Sequence, residues 1–146
     1  MSQFKHLLVA IDYSDPSLKA LDTGLDLAGM LGARLTVVHT IMKIAEGVPM
    51  EGGAGFDTNL CEKQLQENRK AIEQLLLEKN TQGVKTAIVI ESGRAQDQIN
   101  RIAESVGADM LILGTHGRKG MNRLFLGSVA EEVLRGSQLP FLCVRG

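Results

Sequence analysis

Residues 110–134, MLILGTHGRKGMNRLFLGSVAEEVL, change pattern twice and so indicate the fold class. The first part, 110–113, is a short apolar run without a helical period, which predicts a buried parallel strand. The next part, 114–126, carries glycines and basic residues and predicts a loop. Residues 129–134 belong to a predicted helix. A strand, a loop and a helix in this order form the first half of a βαβ unit.

The same alternation of strands and helices continues over the rest of the chain. Four more strands are predicted at residues 4–11, 33–40, 84–90 and 141–144. Three more helices are predicted at about 16–32, 59–82 and 93–106. Strands that alternate with helices predict an α/β fold, here a doubly wound parallel sheet of five strands and four helices with right-handed crossovers.

Three of the helices begin next to residues that are typical helix caps. Asp15 precedes a proline, and prolines are favoured in the first turn of a helix. Asn59 is followed by Glu62, which resembles a capping arrangement. Ser128 and Glu131 match the capping box, in which each side chain accepts a hydrogen bond from the other residue's backbone. These residues therefore predict where the helices start.

Composition excludes several classes of protein. The 146 residues, 44% hydrophobic and 23% charged, predict a single soluble globular domain over residues 1–146. A net charge of −1 and 3% aromatic residues argue against nucleic-acid binding. No apolar run approaches the roughly 20 residues of a membrane span, and the first residues do not resemble a secretory signal, so we expect no membrane contact and a cytoplasmic location. Cys61 and Cys143 lack metal-ligand spacing and are expected to be buried thiols in a reducing compartment.

Ligands of doubly wound sheets bind beyond the carboxyl ends of the strands, so the residues that follow each strand are the candidates for a site. Asp12 follows the first strand, and His39 and Thr40 end the second. The segment 114–120 follows the fourth strand. Because the fourth strand leads into the glycine-rich loop, we expect the site to lie where Asp12 and this loop meet.

The loop has the residue types that bind phosphate. Gly114, Gly117 and Gly127 let the backbone approach a ligand closely, and the basic residues include Arg118. The helix start at Ser128 adds a dipole and a hydroxyl group. Each feature also has a plain structural interpretation: a helix cap for Ser128, turn geometry for the glycines and a solvated surface for the basic residues. The P-loop and dinucleotide-binding motifs are absent, and the chain shows no set of nucleophile, base and orienting residue.

The spacing Gly114-x2-Gly117-x9-Gly127-Ser128 resembles that of the ATP-binding subgroup of the universal stress protein family. The resemblance extends over almost the full length of the chain. It includes Asp12 and Ser14 after the first strand, Ala108-Asp109 before the fourth, and the final run 140–145.

The resemblance implies a three-layer fold of the adenine nucleotide alpha hydrolase type, with strand order 3-2-1-4-5, and ATP as ligand. It implies that the adenosine lies against Ala10, Ile11, Asp12 and Thr40. It implies that the ribose and first phosphate contact Leu113, Gly114, His116 and Gly117. It implies that the phosphate tail is held by Gly127, Ser128, Val129 and Ala130, with Arg118 as an outer contact. Mg²⁺ would be held by phosphate oxygens and water, and no side chain is assigned to a metal.

The resemblance also implies a homodimer formed through the strand Pro140, Phe141, Leu142, Cys143 and Val144. An ordinary edge strand packed under the fourth helix is the alternative. Tyr13 departs from the family pattern, since many members have glycine there, and a tyrosine at this position could narrow the adenine side of the site.

Three functions remain open at this point. The first is an ATP-binding stress or signalling module that acts on an unidentified protein partner, with slow hydrolysis at most. The second is an enzyme of the same fold, a weak ATPase or an adenylyl-transferring protein, although Asp12-Tyr13-Ser14-Asp15 lacks the glycines of the ATP pyrophosphatase loop. The third is an interaction module that uses no nucleotide. AMP and cyclic nucleotides remain alternatives to ATP.

Overall fold

The computed structural model of the chain describes residues 3–41, 58–115 and 127–146. Within these ranges, five strands alternate with four helices along the chain. In chain order they are β1 (His6–Ala10), α1 (Asp15–Leu31), β2 (Arg34–Ile41), α2 (Thr58–Lys79), β3 (Thr86–Ser92), α3 (Ala95–Val106), β4 (Met110–Thr115), α4 (Ser128–Gly136) and β5 (Phe141–Arg145).

The strands form one parallel sheet in the order β3-β2-β1-β4-β5, which confirms the predicted fold class and strand order. Successive side chains of a strand point to opposite faces of the sheet. Leu7 accordingly packs in a core with Leu21 of α1 and Ile72 of α2. Leu8 packs on the other face with Ile99 of α3 and Val133 of α4. The sheet is therefore the middle of three layers.

Two predicted helix starts are wrong by one residue. The N-cap of α1 is Ser14, whose hydroxyl accepts a hydrogen bond from the amide of Ser17 at 3.4 Å, and Asp15 is the first helical residue. Both residue types are good caps, so the local pattern does not distinguish them. Helix α2 begins at Thr58, which places Asn59 inside the helix rather than before it.

The capping box predicted at the start of α4 is also absent. Gly127 is the N-cap, and Ser128 is the first helical residue. No side chain in the described part of the chain caps this helix start. Ser128 therefore does not cap this helix, and the residue is exposed.

The two cysteines were expected to be buried, and both are partly exposed. Cys143 lies in β5, which among the described strands pairs with β4 alone and forms an edge of the sheet. The side chains from Phe141 to Val144 are half-buried. None of the helices in the described ranges is long and apolar enough to span a bilayer.

Asp109 joins the beginning of β1 to the beginning of β4. Its carboxylate accepts hydrogen bonds from the backbone amides of Lys5, at 2.9 Å, and His6, at 3.1 Å. In return, the amide of Asp109 donates to the carbonyl of His6 at 2.8 Å. These bonds give a physical reason for an aspartate directly before the fourth strand, because they fix β1 and β4 in register.

His6 is a buried titratable group at the beginning of β1, the central strand of the sheet. Its Nε2 lies 2.6 Å from the hydroxyl of Thr36 on β2. Burial lowers the pKa of His6 below its usual 6.5, and the nearby Arg34 adds to this effect, while Asp109 opposes it. The folded protein therefore favours the neutral imidazole.

This lowered pKa predicts that the free energy of unfolding falls as the pH drops below about 6.5. In that range the unfolded chain binds a proton at His6 and the folded chain does not, so protons favour unfolding. The free energy of unfolding stops falling once the pH is below the lowered pKa of His6 in the folded state. Urea unfolding at about pH 7.5 and about pH 5.5 measures it, and a His6→Gln variant should lose less stability between these two values. An equal loss in both proteins would show that another group is responsible.

Candidate functional site

A pocket lies between the carboxyl ends of β1 and β4, where the order of the strands reverses. The chain leaves β1 towards β2 and leaves β4 towards β5, so the two connections diverge and leave a crevice. The crevice encloses about 650 Å³, including the part open to solvent. The crevice therefore lies where doubly wound sheets bind their ligands.

The structure brings most of the predicted site residues together. The predicted residues that line the pocket are Ala10, Ile11, Asp12, Thr40, Leu113, Gly114, Gly127, Val129 and Ala130. Ser128 is exposed and is not among the lining residues. His116, Gly117 and Arg118 were also predicted and lie outside the described residues. The structure therefore places the described members of the two predicted halves of the site side by side.

Other lining residues were missed by the sequence analysis. They are Ser14, Pro16 and Ser17 from the start of α1, Val38 from β2, and Ala95 and Ile99 from α3. Thr115 of β4, which belongs to the candidate segment 114–120, also lines the pocket. Helices that follow parallel strands begin at the edge of the sheet where ligands bind. That rule would have indicated the first turns of α1 and α3, although small and apolar residues give no chemical signal of their own.

Gly114 brings the end of β4 against the start of α1. A Cβ atom at this position would lie 2.5 Å from the backbone carbon and oxygen of Pro16 and 2.8 Å from the amide nitrogen of Ser17. Such distances are shorter than any ordinary contact, and backbone atoms cannot rotate away. Glycine is therefore required here for close packing, and this packing positions the first turn of α1 beside the pocket.

Asp12 begins a tight hydrogen-bonded turn at the edge of the pocket. Its Oδ1 accepts a hydrogen bond from the amide of Ser14 at 3.0 Å, and its own amide donates to the hydroxyl of Ser17 at 3.2 Å. Burial raises the pKa of Asp12, but hydrogen bonds from Ser14 and Ser17 together outweigh it, and the pKa lies below its usual value. At neutral pH the Asp12 carboxylate is therefore charged and can accept hydrogen bonds from a ligand.

The first turns of three helices border the same pocket. Ser14 is the N-cap of α1 and Ser17 lies in its first turn, Ala95 begins α3, and Val129 lies in the first turn of α4. Unpaired amides at helix starts carry partial positive charge. Asp12 is the only charged residue in the described lining. At α1 the amide of Ser17 is already bonded to Ser14, whereas the start of α4 has no side-chain cap among the described residues. The arrangement therefore suits a ligand with an anionic part, which would lie near the start of α4, and a hydrogen-bond donor, which would face Asp12. The described residues contain no cluster of three His, Cys, Asp or Glu side chains that could hold a metal ion.

Tyr13 does not narrow the pocket, which was the expectation from the sequence. Its side chain is absent from the described lining and lies instead against β2 and α2. The hydroxyl of Tyr13 donates to Oδ1 of Asn68 at 2.9 Å, and its ring centre lies 4.8 Å from that of His39. His39 was itself considered as a site residue because it ends a strand. Its Nδ1 lies 2.8 Å from the carbonyl oxygen of Ile11.

Comparison with known proteins identifies relatives over nearly the whole chain. The model of the universal stress protein family matches residues 3–145. Universal stress protein A homolog 1 of Coxiella burnetii is 31% identical, over 97% of this chain and 96% of its own length. Universal stress protein MJ0531 of Methanocaldococcus jannaschii is 29% identical, over 97% of this chain and 82% of its own length.

Solved structures of the same fold include proteins with bound nucleotides. The structure of MJ0577 from Methanocaldococcus jannaschii has a TM-score of 0.76 and 26% identity, over 99% of this chain and 98% of its own. A universal stress protein in complex with cAMP has a TM-score of 0.68 and 24% identity, over 99% and 98%. An Archaeoglobus fulgidus universal stress protein in complex with dAMP has a TM-score of 0.67 and 18% identity, over 98% and 99%. At these identities the last two show the shared fold.

Proposed function

Since the chain belongs to the universal stress protein family, we propose that the pocket between β1 and β4 binds an adenine nucleotide and that this nucleotide is ATP. The observation that carries the proposal is the placement of the Asp12 carboxylate across one crevice from the start of α4, which no described side chain caps. A nucleotide has both matching groups: hydroxyls on the ribose that donate hydrogen bonds and phosphates that favour a helix start.

The nucleotide would lie across the crevice with its base towards β2. Ala10, Ile11 and Thr40 would contact the adenine, and Asp12 would accept hydrogen bonds from the ribose. Leu113 and Gly114 would support the ribose and the first phosphate, together with His116 and Gly117. The phosphate tail would extend to Gly127, Ser128, Val129 and Ala130, with Arg118 as an outer contact. The described residues of this set line the crevice, except for the exposed Ser128, which supports the assignment.

Solved structures of the same fold also support an adenine nucleotide as the ligand. Proteins of this fold have been solved with cAMP and with dAMP. We choose ATP because the glycine spacing from Gly114 to Ser128 resembles the ATP-binding subgroup. Mg²⁺ would accompany ATP and would be held by phosphate oxygens and water.

We assign binding and signalling to the pocket rather than rapid catalysis. In the described lining, Asp12 is the only carboxylate or imidazole that could take a proton from a nucleophile. Its pKa is below the usual value because of its hydrogen bonds, which makes it a weak base. Hydrolysis of ATP would therefore be slow, and the bound nucleotide would act by changing how the protein contacts a partner.

The proposal includes a cytoplasmic homodimer formed through β5. Within the described residues the outer edge of this strand has no neighbour in the sheet, and exposed edges favour pairing with a second strand. The half-buried side chains of Phe141 and Val144 would lose further exposure against a second copy. Pairing of two β5 strands would join two sheets and place both nucleotide pockets in one particle.

Calorimetric titration of nucleotide-stripped protein with ATP, ADP, AMP and cAMP, each with Mg²⁺, tests the proposed function. We expect micromolar affinity for ATP and weaker binding of the other three nucleotides. Tighter binding of AMP or cAMP would correct the choice of nucleotide and retain the site. If none of the four binds, the nucleotide proposal fails, and an interaction module without nucleotide becomes the better explanation.

A further inference from the structure

Tyr13 adopts a backbone conformation that aromatic residues rarely adopt. Its φ of 64° lies in the left-handed region, and in the described chain every other residue with positive φ is a glycine. For a bulky side chain this region is sterically unfavourable. Such a conformation persists only where surrounding contacts hold it, so the contacts of Tyr13 indicate what the strain supports.

Among the described residues Tyr13 contacts Asn68 and His39, each of which has a hydrogen bond of its own. The hydroxyl of Tyr13 donates to Asn68 on α2 at 2.9 Å, and the second atom of that amide, Nδ2, donates to the carbonyl of Gln64 at 2.8 Å. The ring of Tyr13 lies against His39, which is bonded to the carbonyl oxygen of Ile11 at 2.8 Å. The turn after β1 is therefore attached to α2 and to β2 through one side chain.

We infer that Tyr13 is a positioning residue that holds the turn from Asp12 to Ser14 in its ligand-binding conformation by anchoring it to Asn68 of α2. The inference rests on the proposed function. Asp12 and Ser14 both line the pocket, while the side chain between them is directed to α2. The left-handed conformation of Tyr13 allows the residues on either side of it to line the pocket while its own side chain contacts Asn68.

The anchor also makes α2 responsive to the nucleotide. A ligand that binds the ordered turn favours the state in which the hydrogen bond between Tyr13 and Asn68 is formed. By thermodynamic linkage, a partner that displaces α2 must weaken nucleotide binding. The bound nucleotide must weaken the binding of that partner by the same factor. The affinity of a partner protein for the α2 face around Asn68 would therefore depend on whether the nucleotide is bound.

Two variants of Asn68 test the anchor as a matched pair. Asn68→Asp keeps an oxygen that accepts from the Tyr13 hydroxyl, whereas Asn68→Leu has a similar size and no acceptor. Both variants lose the hydrogen bond from Asn68 to Gln64, so they differ in the acceptor for Tyr13 and in the negative charge of the aspartate. A Tyr13→Phe variant removes the same bond from the other side and should behave like Asn68→Leu.

The first readout needs no nucleotide. NMR measurement of amide exchange should show that the amides of Asp12 and Ser14 exchange about threefold to tenfold faster in Asn68→Leu than in Asn68→Asp, as expected for loss of one hydrogen bond. The second readout is ATP affinity, which should fall by about the same factor in Asn68→Leu and in Tyr13→Phe. A double variant, Tyr13→Phe with Asn68→Leu, should be no weaker than either single variant, because both remove one bond.

The outcomes separate this inference from the proposed function. Equal amide exchange in the two Asn68 variants would overturn the anchor, whether or not ATP binds. Faster exchange with unchanged ATP affinity would overturn its role in the site. If the unaltered protein binds none of the four nucleotides, the proposed function fails, and the role of Tyr13 in nucleotide binding fails with it.

Discussion

Gly114→Ala should lower the free energy of unfolding by about 1–3 kcal/mol and should weaken ATP binding as well. The added Cβ would lie 2.5 Å from the backbone of Pro16, so β4 and α1 must separate. The separation moves Ser17, whose hydroxyl accepts a hydrogen bond from the amide of Asp12 at 3.2 Å. The free energy of unfolding and the ATP affinity should therefore fall together. Urea unfolding and calorimetric titration of the same sample measure the two quantities.

Gly24→Ala is the matched control for this substitution. Gly24 lies inside α1, and a Cβ there would lie 3.4 Å from the nearest side-chain atoms, those of Leu35 and Ile112. Alanine is also favoured over glycine in a helix by up to about 1 kcal/mol. We expect unchanged or increased stability and unchanged ATP affinity. A Gly114→Ala protein as stable as Gly24→Ala would contradict the close approach of β4 to α1.

Gly127→Val is expected to weaken ATP binding by about a hundredfold. Gly127 has φ 89° and ψ 148°, a backbone conformation that is essentially confined to glycine. A branched residue must leave this conformation and turn the start of α4 away from the pocket. The phosphates then lose charge-assisted hydrogen bonds from the first amides of the helix, each worth about 1.5–3 kcal/mol.

Two comparisons distinguish loss of the phosphate site from general damage at α4. Ser128→Ala removes only a hydroxyl and should weaken ATP binding by about tenfold, with the helix start intact. Adenosine has no phosphates, so its affinity should be nearly the same in Gly127→Val and in the unaltered protein. An equal loss for adenosine and ATP would show that α4 does not hold the phosphates.

Local patterns were sufficient for the elements of the fold. The apolar runs of β1 and β4 and the helical period of α3 lie within a few residues of their predicted bounds. The strand order came from the resemblance to a family, since pairing between distant strands leaves no mark in the spacing of one segment. Capping residues were less informative because Ser14 and Asp15 both suit a helix start, and only the folded backbone selects Ser14.

The candidate site was predicted where residue chemistry is distinctive. Asp12 and the glycines that follow the fourth strand predicted a phosphate-binding site. The described members of this set, Asp12, Gly114 and Gly127, line one pocket. Ala95 was missed because a small apolar residue carries no chemical signal. The side chain of Tyr13 points to α2, and this direction could not be predicted either. Its left-handed conformation depends on Asn68, which is 55 residues away in the chain.

The hydrogen bonds of Asp109 with Lys5 and His6 can form only late in the synthesis of the chain. The start of β1 emerges from the ribosome early, but the carboxylate that holds the amide of His6 follows 103 residues later. At about 5–20 residues per second, this interval lasts about 5–20 s. A nascent chain that has already assembled β1, β2 and β3 therefore presents one side of β1 as an open strand edge, which a chaperone or another nascent chain can reach until β4 arrives.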